Sequence, residues 1–242
     1  MNFFRAFIER AARAEARLDR FPFPGSVRGG LALTIPFLLV GSFALIVMSF
    51  PLPAYQHFMA GAFGGSWTAP LRTVYQASFG VLALIMSLTV GHSYAGDLDR
   101  GRNLCSPMIA AVVSLCSFLA LSGIGSDRFS LETLGATGLF TALIAAALST
   151  KIFVSLCSVR RLQIMTYSDG AHTSFNEATA TLLPALITIT LSVIAHEAVA
   201  RLFGSASVQQ FASARFTSLF TSLGSSPASA LLFILLIHLL CA

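Results

Sequence analysis

Five long stretches of the sequence are apolar and carry no charged side chain near their middles. A helix needs about 20 such residues to cross a hydrocarbon core that is roughly 30 Å thick. Because the core of a bilayer offers no water to the backbone, a chain crosses it as a helix whose peptide groups bond to one another. We therefore predict an all-α, polytopic membrane helix bundle. The five predicted spans are residues 31–50, 72–92, 104–123, 134–156 and 180–203.

The composition excludes an ordinary water-soluble globule. Of 242 residues, 55% are hydrophobic and only 10% are charged, and the mean hydropathy is +0.79. So few polar side chains cannot cover the surface of a soluble protein of this length. No charge run or Ser/Gly-rich linker divides the chain. We therefore predict one domain over residues 1–242, with the five-span scaffold at 31–203.

Three further segments flank the predicted scaffold. Residues 1–20 alternate apolar and charged side chains at helical spacing, which predicts an amphipathic helix on the membrane surface. Pro22 and Pro24 are expected to break this helix and to force extended geometry on the residues before them. Residues 207–224 predict a second interfacial amphipathic helix. Residues 228–242 form a shorter apolar run, which we interpret as the start of a sixth span.

Basic residues predict the orientation of the spans. They are more numerous at one set of alternate span ends, which holds the segment up to Arg28 and also Arg100, Arg102, Lys151, Arg160 and Arg161. The other set holds Arg72, Arg128, Arg201 and Arg215. Since cytoplasmic loops carry the excess of Lys and Arg, we predict a multi-pass protein of the bacterial inner membrane with a cytoplasmic N-terminus. The basic N-terminus favours anionic lipid headgroups over nucleic acid, for which no base-reading motif is present.

The search for reaction chemistry identifies no catalytic residue and no residue that would bind a cofactor or a metal. Ionisable groups inside spans tend to mark function, but here the middles of the spans have none. His196 and Glu197 lie near the end of the fifth span, and the string lacks the second histidine of a zinc protease. Glu197 and Arg201 have the spacing of a helical ion pair, which we expect at headgroup level. The alternative is a functional pair.

The remaining histidines and the cysteines are weak signals for a site. His238 lies in the last apolar run, where a hydrogen bond to a neighbouring backbone or hydroxyl is favoured over a role as ligand or proton relay. His92 and Tyr94 close the second span, and His57 and His172 lie in loops. The four cysteines stand singly in or beside apolar runs and are interpreted as small buried side chains. They are Cys105, Cys116, Cys157 and Cys241.

Small residues and prolines within the spans predict how the helices pack. Glycine and alanine let membrane helices approach closely, which predicts a tightly packed or dimerising bundle. These residues are Gly29, Gly30, Gly41, Gly135, Gly138 and Ala145 to Ala147. Pro36 in the first span and Pro184 in the fifth each remove a helix hydrogen bond and are expected to bend their helices.

A particular order of short strings carries a family resemblance. The series Arg28-Gly29-Gly30-Leu31, Ile35-Pro36-Phe37-Leu38-Leu39-Val40-Gly41-Ser42 and Phe50-Pro51 opens it. It continues through Ser93-Tyr94-Ala95, Ser117-Phe118-Leu119, Leu134-Gly135-Ala136-Thr137-Gly138-Leu139-Phe140, Ser174-Phe175, Leu183-Pro184 and the run Leu232 to Leu240. This order resembles the enzyme IIC membrane component of the phosphoenolpyruvate-dependent sugar phosphotransferase system, lactose/cellobiose type.

The resemblance implies a permease component that moves a sugar inward, coupled to its phosphorylation by soluble partners of the enzyme IIB and IIA type. The sugar would be a disaccharide of the cellobiose or lactose type. The chain would correspond to the N-terminal half of such a protein, which forms a scaffold and homodimer interface. The sugar would be held mainly by the following half. The phosphotransferase activity would exist only together with the partner proteins.

Two departures from the family pattern leave alternatives open. Ser168 to Thr173 replace a Val-Pro-Pro-Ala-Val string, and the sugar-contacting histidine of the family would follow Ala242, so no substrate-binding residue is assigned. One alternative is an enzyme IIC-like sensor domain of a signalling protein with a cytoplasmic output module, for example a cyclic-di-GMP phosphodiesterase. The other is a remnant scaffold that does not transport.

Overall fold

The computed structural model describes residues 22–102, 104–125, 129–164 and 173–203. Every regular element in these ranges is helical, which confirms the predicted all-α bundle. The predicted amphipathic helices over 1–20 and 207–224, and the apolar run over 228–242, lie outside the described residues.

The described residues form eight α-helices and four short 3₁₀ segments. In chain order the α-helices are α1 (Pro22–Met48), α2 (Pro53–Phe63), α3 (Thr68–Ser78), α4 (Leu82–Asp99), α5 (Pro107–Leu121), α6 (Leu139–Cys157), α7 (Thr173–Ala180) and α8 (Leu182–Phe203). The 3₁₀ segments are Phe79–Val81, Leu131–Leu134, Ala136–Gly138 and Arg160–Leu162. The first of them joins α3 and α4 into one apolar helical stretch.

Four helical stretches in the described part are long and apolar enough to cross a bilayer. They are Pro22–Met48, Thr68–Asp99, Ala136–Cys157 and Leu182–Leu202. The predicted third span contains only the 15 residues of α5. At about 1.5 Å per residue, α5 is roughly 22 Å long and falls short of a full hydrocarbon core. A crossing by α5 therefore stays a prediction.

The start of α1 differs from the sequence-based expectation. The expectation of extended geometry before Pro24 is wrong, because Phe23 is helical, while Phe21, the residue before Pro22, lies outside the described residues. Both prolines lie in the first turn of α1 as the structure describes it. The first N–H groups of a helix have no acceptor within it, so proline costs little there. Pro36 lies inside α1, which continues without a break to Met48.

The second predicted bend, at Pro184, coincides with a break between two helices. Pro184 has no N–H group with which to bond the carbonyl of Ala180, four residues earlier. α7 ends at Ala180 and α8 begins at Leu182. The backbone is still tied across the break, because the N–H of Ala185 donates to the carbonyl of Thr181 over 3.0 Å.

α4 lies at the centre of the bundle and packs against α1, α5 and α6, while α8 packs against α5 and α6. α1 runs antiparallel to the α3–α4 stretch, and two of its glycines fall where the helices meet. A Cβ atom on Gly30 would lie 2.5 Å from Cγ2 of Val90, and one on Gly41 would overlap Phe79 and Ser78. The predicted close packing at these glycines is confirmed.

Buried hydroxyl groups make further contacts between α1 and α4 and between α5 and α4. Thr34 of α1 donates to the carbonyl of Gly30 over 2.8 Å, and its hydroxyl lies 3.4 Å from that of Thr89 on α4. Ser114 of α5 donates to the carbonyl of Ser87 on α4 over 2.8 Å. Where surrounding lipid is as apolar as the core, such interhelical hydrogen bonds help to hold helices together.

Two clusters of mostly small apolar side chains form the core. The first contains Ala83, Met86, Val90, Phe118, Leu121, Ala142, Ala145 and Ala146. The second contains Ala95, Cys105, Ala110, Val113, Phe153, Val154 and Cys157. Large apolar side chains lie instead on the outside of α1 and α8, as expected of helices that face lipid.

Candidate functional site

A cleft of about 500 Å³ opens where the start of α1 meets the end of α4 and the start of α5. We call this side of the molecule the basic end, because the exposed side chains of Arg28, Arg100, Arg102, Lys151 and Arg161 lie at or near it. The lining residues of the cleft are Gly25, Ser26, Gly29, Leu33, His92, Ser93, Gly96, Asp97 and Pro107.

A buried serine and a carboxylate close the floor of the cleft. The hydroxyl of Ser26, which is 1% exposed, lies 2.5 Å from Oδ2 of Asp97 and 2.6 Å from the carbonyl oxygen of Pro22. Both atoms are acceptors, so they share the one proton that the hydroxyl can donate. The contact ties the first turn of α1 to the last turns of α4.

Three polar residues of the cleft, His92, Ser93 and Asp97, come from α4. Ser93 and Asp97 are four residues apart, and so are His92 and Gly96, spacings that bring side chains together on a helix. His92 and Asp97 are exposed, so a carboxylate and an imidazole face the same opening. The arrangement suits hydrogen bonding to a polar group. In the sequence, His92 is only a weak signal for a site and Asp97 is not singled out, although its spacing from Ser93 is that of one helical turn.

A tight turn follows α4 at the basic end. Arg100 has a left-handed backbone with φ of 46°, and its N–H donates to the carbonyl of Gly96 over 3.2 Å. Oδ1 of Asp99 accepts the N–H of Leu104 over 2.9 Å. The guanidinium of Arg102 donates to the carbonyls of Leu98 and Asp99 over 3.1 and 3.2 Å. These contacts satisfy carbonyls at the helix end that would otherwise lack donors.

Two of the cysteines lie together just beyond this turn. Cys105, before α5, and Cys157, the last residue of α6, are both buried and belong to the same core cluster. The prediction of small buried side chains is confirmed for both, and the two lie together in the fold although they stand singly in the sequence. Cys116 is half-buried on α5, and Cys241 lies outside the described residues.

The predicted ion pair near the end of the fifth span is present. Nε of Arg201 lies 3.7 Å from Oε2 of Glu197, and both side chains are exposed. An exposed pair of this kind contributes little to stability. His196 makes a different contact: Nδ1 lies 3.1 Å from the carbonyl oxygen of Leu121, the last residue of α5. The geometry therefore favours the interpretation of these three residues as structural.

The other residues considered from the sequence are dispersed. His57 is exposed on α2, and Tyr94 is buried on α4 with its ring 5.3 Å from that of Phe23, edge to face. His172 and His238 lie outside the described residues. Within the ranges that the structure covers, no group of three or more His, Cys, Asp or Glu side chains is placed to hold a metal ion.

A family model identifies the chain. The model of the phosphotransferase system EIIC family matches residues 28–242, nearly the whole sequence. The chain belongs to the phosphotransferase system EIIC family. The resemblance drawn from the order of strings is thereby confirmed, and this EIIC chain is a multi-pass membrane protein.

Relatives of this EIIC chain include permease and EIIC components of Bacillus, Geobacillus and Staphylococcus species. The lichenan permease IIC component of Bacillus subtilis is 27% identical over 180 residues, which cover 69% of this chain and 38% of the relative. The cellobiose-specific EIIC component of Geobacillus stearothermophilus is 24% identical over 99% of this chain and 54% of the relative. The lactose-specific EIICB component of Staphylococcus epidermidis is 25% identical over 63% of this chain and 26% of the relative.

A solved structure has the same fold. The crystal structure of ChbC, the IIC component of an N,N'-diacetylchitobiose-specific phosphotransferase system, matches 95% of this EIIC chain with a TM-score of 0.79 and 24% identity. The match covers 54% of the ChbC chain. The chain thus spans about half, or less, of the length of the proteins that it matches. None of the comparisons supports the alternative of a sensor domain in a signalling protein.

Proposed function

We propose that the chain is the scaffold half of an EIIC sugar permease, against which a following half carries the sugar across the membrane. The observation that carries this proposal is the fold match to ChbC over 95% of the chain. Helices that expose large apolar side chains around a tightly packed centre, as α1 and α8 do around α4, suit a static scaffold. We propose that soluble partners carry out the phosphoryl transfer.

The proposed cargo is a disaccharide of the cellobiose or lactose type. Relatives carry the names of lichenan, cellobiose and lactose systems, and the structural neighbour that of a diacetylchitobiose system. The proposed partners are soluble EIIB and EIIA components, which would phosphorylate the sugar at the cytoplasmic face. One relative carries the combined name EIICB.

To test this role, the intact gene product is expressed in cells that contain EIIB and EIIA but lack other routes of sugar uptake. Labelled cellobiose, lactose and N,N'-diacetylchitobiose are supplied in turn, and the cytoplasmic sugar phosphate is measured. We expect a phosphate ester from at least one sugar. Gly30→Leu, which would clash with Val90, should abolish it, whereas Gly61→Ala should not, because a Cβ at Gly61 meets nothing within 4 Å. No ester from any sugar, with the protein present in the membrane, contradicts the proposal.

We further propose that the basic end faces the cytoplasm. Exposed Arg28, Arg100 and Arg102 support this orientation, because Lys and Arg near span ends favour the cytoplasmic side. Arg72→Cys and Arg102→Cys variants are labelled in intact cells with a maleimide that cannot cross membranes, with the unsubstituted chain as background. Arg72→Cys should react at once and Arg102→Cys only after permeabilisation. The reverse order would show the opposite orientation.

The proposed assembly is a homodimer in the membrane. Its support is membership of the EIIC family, whose N-terminal half is expected from the resemblance to form a homodimer interface. Phe43 on α1, 68% exposed, and Ile194 on α8, 57% exposed, are positions on the outer surface where an interface can be probed. Phe43→Cys and Ile194→Cys variants are oxidised in membranes and separated without reductant. A cross-linked dimer at either position supports the assembly and names the helix that lies at the interface. A monomer at both contradicts it.

A further inference from the structure

α2 stands apart from the bundle. None of its 11 residues is buried, and the side chains of Phe58 and Phe63 are each 69% exposed. The segment that contains it carries no charge, since no Asp, Glu, Lys or Arg occurs between Arg28 and Arg72. An exposed, uncharged helix with large aromatic side chains is unsuited to water.

Two polar side chains fold α2 back onto the end of α1. The hydroxyl of Tyr55 donates to the carbonyl of Val47 over 3.2 Å. The amide nitrogen of Gln56 lies 3.3 Å from the carbonyl oxygen of Met48 and 3.0 Å from that of Phe50. These bonds satisfy carbonyls at the end of α1 that have no donor within the helix. They also fix α2 at the level where α1 leaves the apolar layer.

Three aromatic rings, those of Phe50, Tyr55 and Trp67, pack together where α2 follows α1, and we call this place the aromatic corner. The ring of Tyr55 packs edge to face against Phe50, with centroids 5.2 Å apart, and against Trp67, at 6.0 Å. Trp67 is 9% exposed and directly precedes α3, which leads back into the bundle. Rings with an apolar body and one polar atom, such as those of Tyr and Trp, prefer the boundary between lipid tails and headgroups.

We propose that α2 lies in the plane of the membrane at this boundary, with Phe58 and Phe63 inserted among the lipid acyl chains. The chain length supports this placement: residues 49–52 and 64–67 join α2 to α1 and α3, and four residues reach about 14 Å at most. The apolar outer surface of α1 continues into that of α2 through Phe50 and Leu52, which are 39% and 52% exposed. The partner of the exposed face of α2 is therefore lipid.

Tryptophan fluorescence in lipid vesicles tests the placement, because Trp67 is the only tryptophan of the chain. In a Trp67→Phe background, Phe58→Trp reports on α2, and Phe37→Trp, near the middle of α1, is the matched control. The chain is reconstituted in phosphatidylcholine vesicles with bromine atoms either near the headgroup end or near the methyl end of the acyl chains. Bromine quenches tryptophan only at close range, so the two lipids report depth.

The tryptophan at position 58 should lose more fluorescence with bromines near the headgroups, and the tryptophan at position 37 more with bromines near the methyl ends. Position 58 would overturn the proposal if it responded to neither lipid or followed position 37. The unsubstituted chain provides a second reading that needs no variant. Trp67 itself should be quenched more by bromines near the headgroups. The opposite order would overturn the placement of the aromatic corner at the membrane boundary.

Discussion

Nδ1 of His196 lies 3.1 Å from the carbonyl oxygen of Leu121, which joins α8 to the end of α5 across 75 residues of sequence. A carbonyl oxygen only accepts, so Nδ1 must carry a proton for this hydrogen bond to form. The contact supplies a donor to one of the last carbonyls of α5, which have no partner within the helix. A side chain near the end of the fifth predicted span thus holds two helices together.

Replacement of this histidine should loosen the contact between α5 and α8. We expect His196→Ala to lower the free energy of unfolding in detergent by about 1 kcal/mol, the usual contribution of one hydrogen bond. His196→Asn should recover part of the loss, because its amide can donate. His57→Ala on exposed α2 is the control and should have little effect. Equal effects of His196→Ala and His57→Ala in thermal unfolding would contradict this role.

The seam between α1 and α4 should be intolerant of any side chain at Gly30. A Cβ atom there would lie 2.5 Å from Cγ2 of Val90 and 2.8 Å from its backbone nitrogen and Cα, which cannot move aside. We expect Gly30→Ala to cost about 1 to 3 kcal/mol of stability through overpacking. Gly25→Ala on the same helix meets nothing within 4 Å and should be neutral. Thermal unfolding of both variants checks the difference, and equal stability would refute it.

The spans were predictable because membrane insertion depends on local composition. Stretches with uncharged middles coincide with α1, the α3–α4 stretch, α6 and α8. The helix ends were less predictable. The effect of Pro24 depends on its position, because proline is harmful inside a helix but tolerated in the first turn. The apolar run at 104–123 gave no sign that its helix would be only 15 residues long.

The contacts of the candidate site were mostly hidden from the sequence. Ser26 and Asp97 are 71 residues apart, and their hydrogen bond depends on how α1 packs against α4. Cys105 and Cys157 likewise meet only because the turn before α5 lies over the end of α6. No local spacing marks such pairs. The ion pair of Glu197 and Arg201 was predictable because its partners are one helical turn apart.

Glycine in place of Arg100, the left-handed residue of the turn after α4, should stabilise the protein. Arg100 has φ of 46°, a conformation in which a Cβ atom crowds the following carbonyl oxygen. We expect Arg100→Gly to raise the free energy of unfolding by up to about 1 kcal/mol. Arg100→Ala keeps the Cβ atom and should give no such gain, which separates backbone strain from the loss of a charge. If both variants behave alike in thermal unfolding, the strain is not the cause.

The buried pair of Cys105 and Cys157 should be convertible to a disulfide. Both thiols lie in one buried cluster, although the sequence separates them by 52 residues. An azodicarboxamide oxidant would accept two electrons and two protons from the pair, which leaves one S–S bond. Digestion without reductant and mass spectrometry should then find the two cysteine peptides joined, and reductant should separate them.

Cys105→Ser should abolish this product, while half-buried Cys116 should stay free to react with a maleimide. A product that joins Cys116 to either cysteine, or no product at all, would contradict the packing of the α4–α5 turn against the end of α6.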